Sequence, residues 1–268
     1  MNISFPQIKD IAHRGVRRAA VFLGLGINAA ESPELKDHNL AHHSFMRFVP
    51  EKVDAPELAA WKKEFGFWIV ECGLRELMET FALFLDKIHE ACLLMAISKG
   101  QIEGHDAQEF DRSFRRKGIK DKLPALRNRF AVTCEHPDEL ISINQARNCL
   151  THRSGVVRAD DFNDGDRLSV GWHALEISVA DPEGEKVVLG VPLSKPVPVK
   201  KGAIVAANFA RKSVSFSEGA PVKFTPMELH EICLFVYSST NEITSCAEQY
   251  ARKLGIPLNP VRLGACDQ

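Results

Sequence analysis

Apolar residues recur at spacings of three and four through most of this chain, and that periodicity predicts a mainly α protein. In residues 7–23, Ile8, Ile11, Gly15, Ala19, Phe22 and Leu23 share a stripe, while Lys9, Arg14 and Arg17 fall elsewhere. Residues 24–57 hold Gly24, Gly26, Ser32-Pro33, Pro50 and Pro56 and read as loop. The strongest pattern follows. Phe67, Val70, Leu74, Leu77, Met78, Phe81, Leu85, Ile88, Cys92 and Met95 predict a long helix from about Glu57 to Ser98, with Gly66 and Gly73 as places to bend or divide and Gly100 as a stop. A helix so long with so wide an apolar face belongs in a bundle.

Shorter helices are expected over Ala107 to Arg116, Leu123 to Thr133, and Asp138 to about His152. The last is capped at Asp138 or Pro137-Asp138 and sends Leu140, Ile141, Ile143, Ala146 and Leu150 inward. The period then changes. Leu168 to Trp172, Leu175 to Val179, Lys186 to Val191, Ala203 to Asn208 and Lys212 to Phe216 read as short strands. Turns fall at Asp181-Pro182-Glu183-Gly184 and Ser217-Glu218-Gly219, and Pro192, Pro196 and Pro198 suit an edge or connector. Thr225-Pro226-Met227-Glu228 is a capping-box signature opening a last helix to about Leu254. The expected architecture is a helical bundle with a small antiparallel β insert before the last helix. Its parts are an N-terminal helix and loop (1–56), a helical core (57–165), the insert (166–224), the last helix (225–254) and a tail (255–268).

Composition adds limits. The 268 residues carry a formal net charge of -1, so any nucleic-acid surface must be a local patch. The seven cysteines form no C-x-x-C pair, and most sit among apolar residues of the expected helices, which fits buried free thiols in a reducing compartment. Arg14, Arg17 and Arg18 before Ala19 to Ala30 loosely imitate a signal peptide, but Asp10, Gly24, Gly26 and Asn28 break the imitation. The reading is a surface helix followed by a Gly-rich turn. No stretch approaches the ~20 apolar residues of a membrane span, so no membrane partner and a cytoplasmic location are expected.

The most specific chemistry lies in Arg147-Asn148-Cys149-Leu150-Thr151-His152, at the end of an expected helix and just before Gly155. It offers a fixed cation, a neutral hydrogen-bonding group and the side chain that titrates near neutral pH. Asn148 and His152 share a helix face, whereas Arg147 and His152 are about 140° apart. Convergence requires a loosened last turn, or a second subunit that brings its own His152 beside Arg147. A plainer reading is a helix end decorated with cations, in which Arg147 pairs with a carboxylate such as Glu139 or Asp160.

This run resembles the R-x4-6-H motif of the HEPN superfamily (higher eukaryotes and prokaryotes nucleotide-binding). Asn148 matches that family's preference for a polar residue after the Arg. The bundle pattern extends the likeness over roughly residues 57–155 and 225–254, with the β segment outside it. The resemblance implies a metal-independent endoribonuclease acting as a homodimer, in a toxin–antitoxin or defence setting with an antitoxin or other protein partner. It implies His152 as general acid or base, Arg147 as stabiliser of the transition-state charge and Asn148 as an orienting group. The alternative it carries is a non-catalytic module that binds a nucleotide, RNA or a protein.

A second signal is basic. Arg112, Arg115, Arg116, Lys117, Lys120 and Lys122, with Arg127 and Arg129, surround Phe110, Phe114 and Phe130. This is either an RNA-tracking surface or a solvated hinge anchored by its Phe residues. No metal or cofactor is expected. His38, His42 and His43 lack a carboxylate at helix spacing; Asp160 to Gly165 does not fit a calcium loop; Gly24-Leu25-Gly26 is too short for a dinucleotide fingerprint.

Overall fold

A computed structural model describes residues 3–36, 38, 50, 52–180, 182–183, 186–189 and 201–258. Among these the chain runs α1 (Phe5–Glu31), α2 (Ala55–Ser98), α3 (Gly104–Arg115), α4 (Ile119–Phe130), α5 (Pro137–His152), a 3₁₀ turn (Ala159–Asp161), β1 (Arg167–Ala180), β2 (Lys186–Leu189), β3 (Ile204–Ser217) and α6 (Pro226–Lys253). The protein is mainly helical with a small antiparallel β insert before its last helix, as the periodicity predicts. His42, His43, Val191, Pro192, Pro196, Pro198 and the end of the tail from 259 lie outside the described residues.

Helix α2 is the axis. Asp54 caps it by accepting from the Glu57 N–H at 2.8 Å, and Pro56 sits in the first turn, where its missing N–H costs nothing. The helix runs 44 residues, about 66 Å, without a break at Gly66 or Gly73. Leu74, Leu77, Phe81, Phe84, Leu85, Ile88, Cys92 and Met95 are fully enclosed. Helices α1, α3, α4, α5 and α6 all pack on it, which is why its apolar residues cover more than one face.

Helix α1 corrects the sequence reading. It continues through Gly24 and Gly26 to Glu31 instead of ending in a glycine turn. Gly26 faces α2, and a Cβ there would lie 2.7 Å from Ile69; at Gly15 it would lie 1.7 Å from the Thr80 hydroxyl. These glycines are contact points that let two helix backbones approach closely. Gly24, by contrast, is exposed, with nothing near it.

Other boundaries also move. Helix α3 starts at Gly104 and α4 at Ile119, earlier than the pattern places them. Pro124 lies inside α4, so the Lys120 carbonyl lacks its intrahelical donor. Pro137 opens α5 and Asp138 lies in its first turn, so neither Asp138 nor its neighbour caps the helix by side chain. The sheet order is β2-β1-β3, all antiparallel. Where the sequence predicts four short strands, β1 and β3 are two long ones, paired from Arg167↔Ser217 to Ala180↔Ile204. No turn residue interrupts them. In the first half of β1, Leu168, Val170, Trp172 and Ala174 are buried, whereas Ile204, Val205 and Phe209, paired with its far half, are exposed.

Glu231 of α6 helps fasten the sheet to the bundle. The Trp172 indole and the Lys212 ammonium both donate to Glu231 of α6, at 2.9 and 2.7 Å. Helix α6 begins with the predicted capping box, Thr225 accepting from Glu228 N–H and Glu228 accepting from Thr225 N–H. No helix of the described residues is long and apolar enough to cross a membrane.

The two kinds of helical glycine separate in a stability test. Gly24→Ala raises the unfolding free energy by about 0.5–1 kcal/mol, because alanine restricts the unfolded chain at an open site. Gly15→Ala lowers it by about 1–3 kcal/mol, because Thr80 must move. Urea denaturation measures both; equal effects would contradict the close helix contact.

Candidate functional site

Helix α5 carries the candidate Arg147, Asn148 and His152 side chains. Leu140, Ile143, Ala146, Cys149 and Leu150 are buried and fix its rotation. It lies against α2 and β1, and the Gly171 N–H of β1 donates to Ser142 Oγ at 3.0 Å. Beyond His152 the chain turns sharply through Ser154 (φ 52°) and Gly155 (φ 74°), and the Gly155 N–H donates to the Cys149 carbonyl. Arg153 then pairs with Asp161 and approaches Asp160, stapling the exit segment.

The Arg-Asn-His end of α5 is regular. Arg147 is half-buried; its Nη1 donates to Asn148 Oδ1 at 3.2 Å, and its enclosed Nε has no partner among the described residues. The Thr151 hydroxyl donates to the Arg147 carbonyl at 2.8 Å. His152 is exposed and makes no hydrogen bond, ion pair or ring contact among the described residues. The last turn stays helical through His152, so Arg147 and His152 leave the axis about 140° apart. Arg147 meets neither Glu139 nor Asp160. Arg211 occupies the first and Arg153 lies beside the second.

The basic segment divides. Lys122 is not available to RNA: its ammonium lies 2.7 Å from Asp86 of α2, with side-chain exposures of 4% and 12%. Arg115 is exposed but bonded to Asp111 at 2.7 Å and to Glu90 at 3.0 Å. Arg112, Arg116, Lys117 and Lys120 are exposed and make no ion pair among the described residues. The Phe residues act as anchors. Phe114 and Phe130 are buried, and Phe110 carries the Arg129 guanidinium 3.6 Å above its ring. Sequence reasoning overlooked His89, which stacks on Phe114 with ring centres 3.8 Å apart. Burial pushes its pKa down from 6.5 to about 4, and the Asp111 carboxylate opposes that only in part.

A second group escaped the sequence reading. His136, at the start of α5, stacks on His173 of β1 with ring centres 3.6 Å apart and planes 12° from parallel. Glu139 Oε1 lies 3.9 Å from His173 Nε2 and accepts from Arg211 Nε at 3.1 Å. One donor atom from each of His136, Glu139 and His173 lies within 4.8 Å of the others. Burial, then the neighbouring His136, pushes the His173 pKa below its usual value. Glu139 also lines a polar cleft of about 580 Å³ between α5 and the sheet, with Lys120, Gln145, Ser169 and Arg211. The local spacing of His136 and Glu139 was visible in the sequence; the approach of His173 across the fold was not.

Two measurements check this layout. Lys122→Ala lowers the unfolding free energy by about 3–5 kcal/mol, since it strands Asp86, whereas Lys120→Ala changes it by less than about 0.5 kcal/mol. Because the folded pKa of His89 lies below the unfolded value, the unfolded chain takes up the proton first. The associated stability is complete above about 6.5 and is lost as pH falls toward about 4. In urea titrations the stability gap between wild type and His89→Gln therefore shrinks from about pH 7 to about pH 5; a constant gap contradicts a buried neutral imidazole. No protein-family model, curated protein or solved structure matches the chain.

Proposed function

We propose that this protein is a HEPN-like, metal-independent endoribonuclease whose site is completed by two copies of the chain. The observation that carries the reading is the unengaged polar end of α5. Arg147 bonds to Asn148 and, among the described residues, to no carboxylate, and His152 is exposed and without a partner among them. Arg153, one residue on, is by contrast held in an internal pair with Asp161.

In the proposed reaction His152 takes the proton of an RNA 2′-OH. The freed oxygen attacks the adjacent phosphorus, the bond to the 5′ oxygen breaks, and that oxygen leaves with a proton from a general acid. A 2′,3′-cyclic phosphate and a 5′-hydroxyl result. Arg147 neutralises charge gathering on the non-bridging oxygens, and Asn148 holds the guanidinium in place. Exposed Arg112, Arg116 and Lys117 supply a path for the RNA backbone, with affinity that falls steeply with salt. Lys122 is excluded from that path by its pairing with Asp86. A toxin or defence role with a restraining protein partner is the physiological setting that goes with this chemistry.

The 140° divergence within one helix makes the two-copy requirement specific. A single chain would bind RNA without cutting it, which is the second reading. The test is complementation in EDTA. Arg147→Ala and His152→Ala each lower cleavage of single-stranded RNA by about 10²–10⁴-fold. Mixed and re-equilibrated, they recover about a quarter of wild-type activity, because half the dimers are mixed and each holds one intact composite site. No recovery on mixing places both groups in one chain's site. Undiminished cutting by His152→Ala removes the proposal.

A further inference from the structure

We propose that His136, Glu139 and His173 form a binding site for a transition-metal dication of the zinc class. Two imidazoles and one carboxylate, with room for an external ligand, are the donor set of open zinc sites. Here one donor atom of each lies within 4.8 Å of the others, with His136 and Glu139 at the start of α5 and His173 on β1. These elements are held together by packing and by the Gly171–Ser142 bond, so the donors are presented before any ion arrives.

The surroundings differ from those of a chance surface cluster. The side chains of Glu139 and His173 are only 12% and 15% exposed, and that of His136 is 32% exposed, leaving an edge open to solution. The face-to-face ring stack and the Glu139 carboxylate bring nitrogen and oxygen donors from α5 and β1 together. Imidazole binds metal through an unprotonated ring nitrogen. The Arg211 guanidinium orients the Glu139 carboxylate through one oxygen, the role of an outer partner in metal sites.

Nearly parallel rings direct their lone pairs side by side, so closing on one ion takes a turn of one imidazole. His136 is the more exposed of the two and is the ring placed to turn. Glu139 also borders the polar cleft, which gives water or an oxygen ligand access to the remaining position. This site is separate from the Arg147–His152 end. Glu139 and His152 stand thirteen residues apart on one helix, about 20 Å.

The test uses full-length protein stripped with EDTA and dialysed, then titrated with ZnCl2 by calorimetry and with CoCl2 by visible absorption. Wild type takes up one equivalent of Zn2+, and Co2+ gives the absorption bands of a low-coordinate nitrogen and oxygen site. His136→Gln and His173→Gln each weaken Zn2+ binding at least tenfold, since loss of a direct ligand costs no less than the ~10-fold loss of an outer partner. His152→Ala binds as wild type does. Failure of wild type to take up a stoichiometric ion, or unchanged affinity in the folded His136→Gln variant, overturns the site. Circular dichroism confirms folding; should His173→Gln unfold, the substitution at the more exposed His136 decides the outcome. RNA cleavage in EDTA plays no part in this readout, so the two proposals fail independently.

Discussion

The packing of Leu140, Ile143, Ala146, Cys149 and Leu150 against α2 and the sheet fixes both the rotation and the position of α5. That one constraint assigns every polar residue of the helix to a place. At its start, His136 and Glu139 are set opposite His173. At its end, Arg147 and His152 are set on different faces, and the sharp turn at Ser154 and Gly155 holds the helix to its last residue. A helix free to rotate or fray there would blur both groups.

The rest of the molecule supports that placement. Helix α2 supplies an apolar surface on nearly all sides, and the close glycine contacts let α1 lie tightly along it. Glu231 ties β1 and β3 to α6 through Trp172 and Lys212, and the Gly171–Ser142 bond holds the strand bearing His173 to α5. The basic segment is used partly for the fold: Lys122 neutralises Asp86, and Arg115 gathers Asp111 and Glu90. What remains outward without an ion pair among the described residues, Arg112, Arg116, Lys117, Lys120 and Arg127, with Arg129 over Phe110, is a smaller cationic surface than the raw charge run implies.

Periodicity carried most of the architecture. The stripe from Phe67 to Met95, the capping box at Thr225 and the late change to strand all correspond to observed elements, because each is a local property of the chain. The errors have a common physical source. Gly24 and Gly26 look like a turn until a neighbouring helix gives Gly26 a reason to be small. Strands β1 and β3 look broken because apolar Ile204, Val205 and Phe209 stay exposed where their far ends pair. Lys122 looks like a surface cation until Asp86 comes from α2 to meet it. The Arg147–His152 run can be picked out along the sequence, and the structure places it at the regular end of α5. The His136–Glu139–His173 group was not legible, since its members come from a helix start and a strand with no sequence spacing to link them.

Helical geometry makes the proposed nuclease site depend on association, because Arg147 and His152 leave one α5 about 140° apart. The most direct measurement is sedimentation equilibrium of the purified full-length chain in EDTA, at the concentrations where RNA cleavage is assayed. A site shared by two chains gives a mass twice that of the chain, with specific cleavage activity declining on dilution in step with loss of the dimer. A monomer that cuts RNA with undiminished specific activity at every dilution would contradict it.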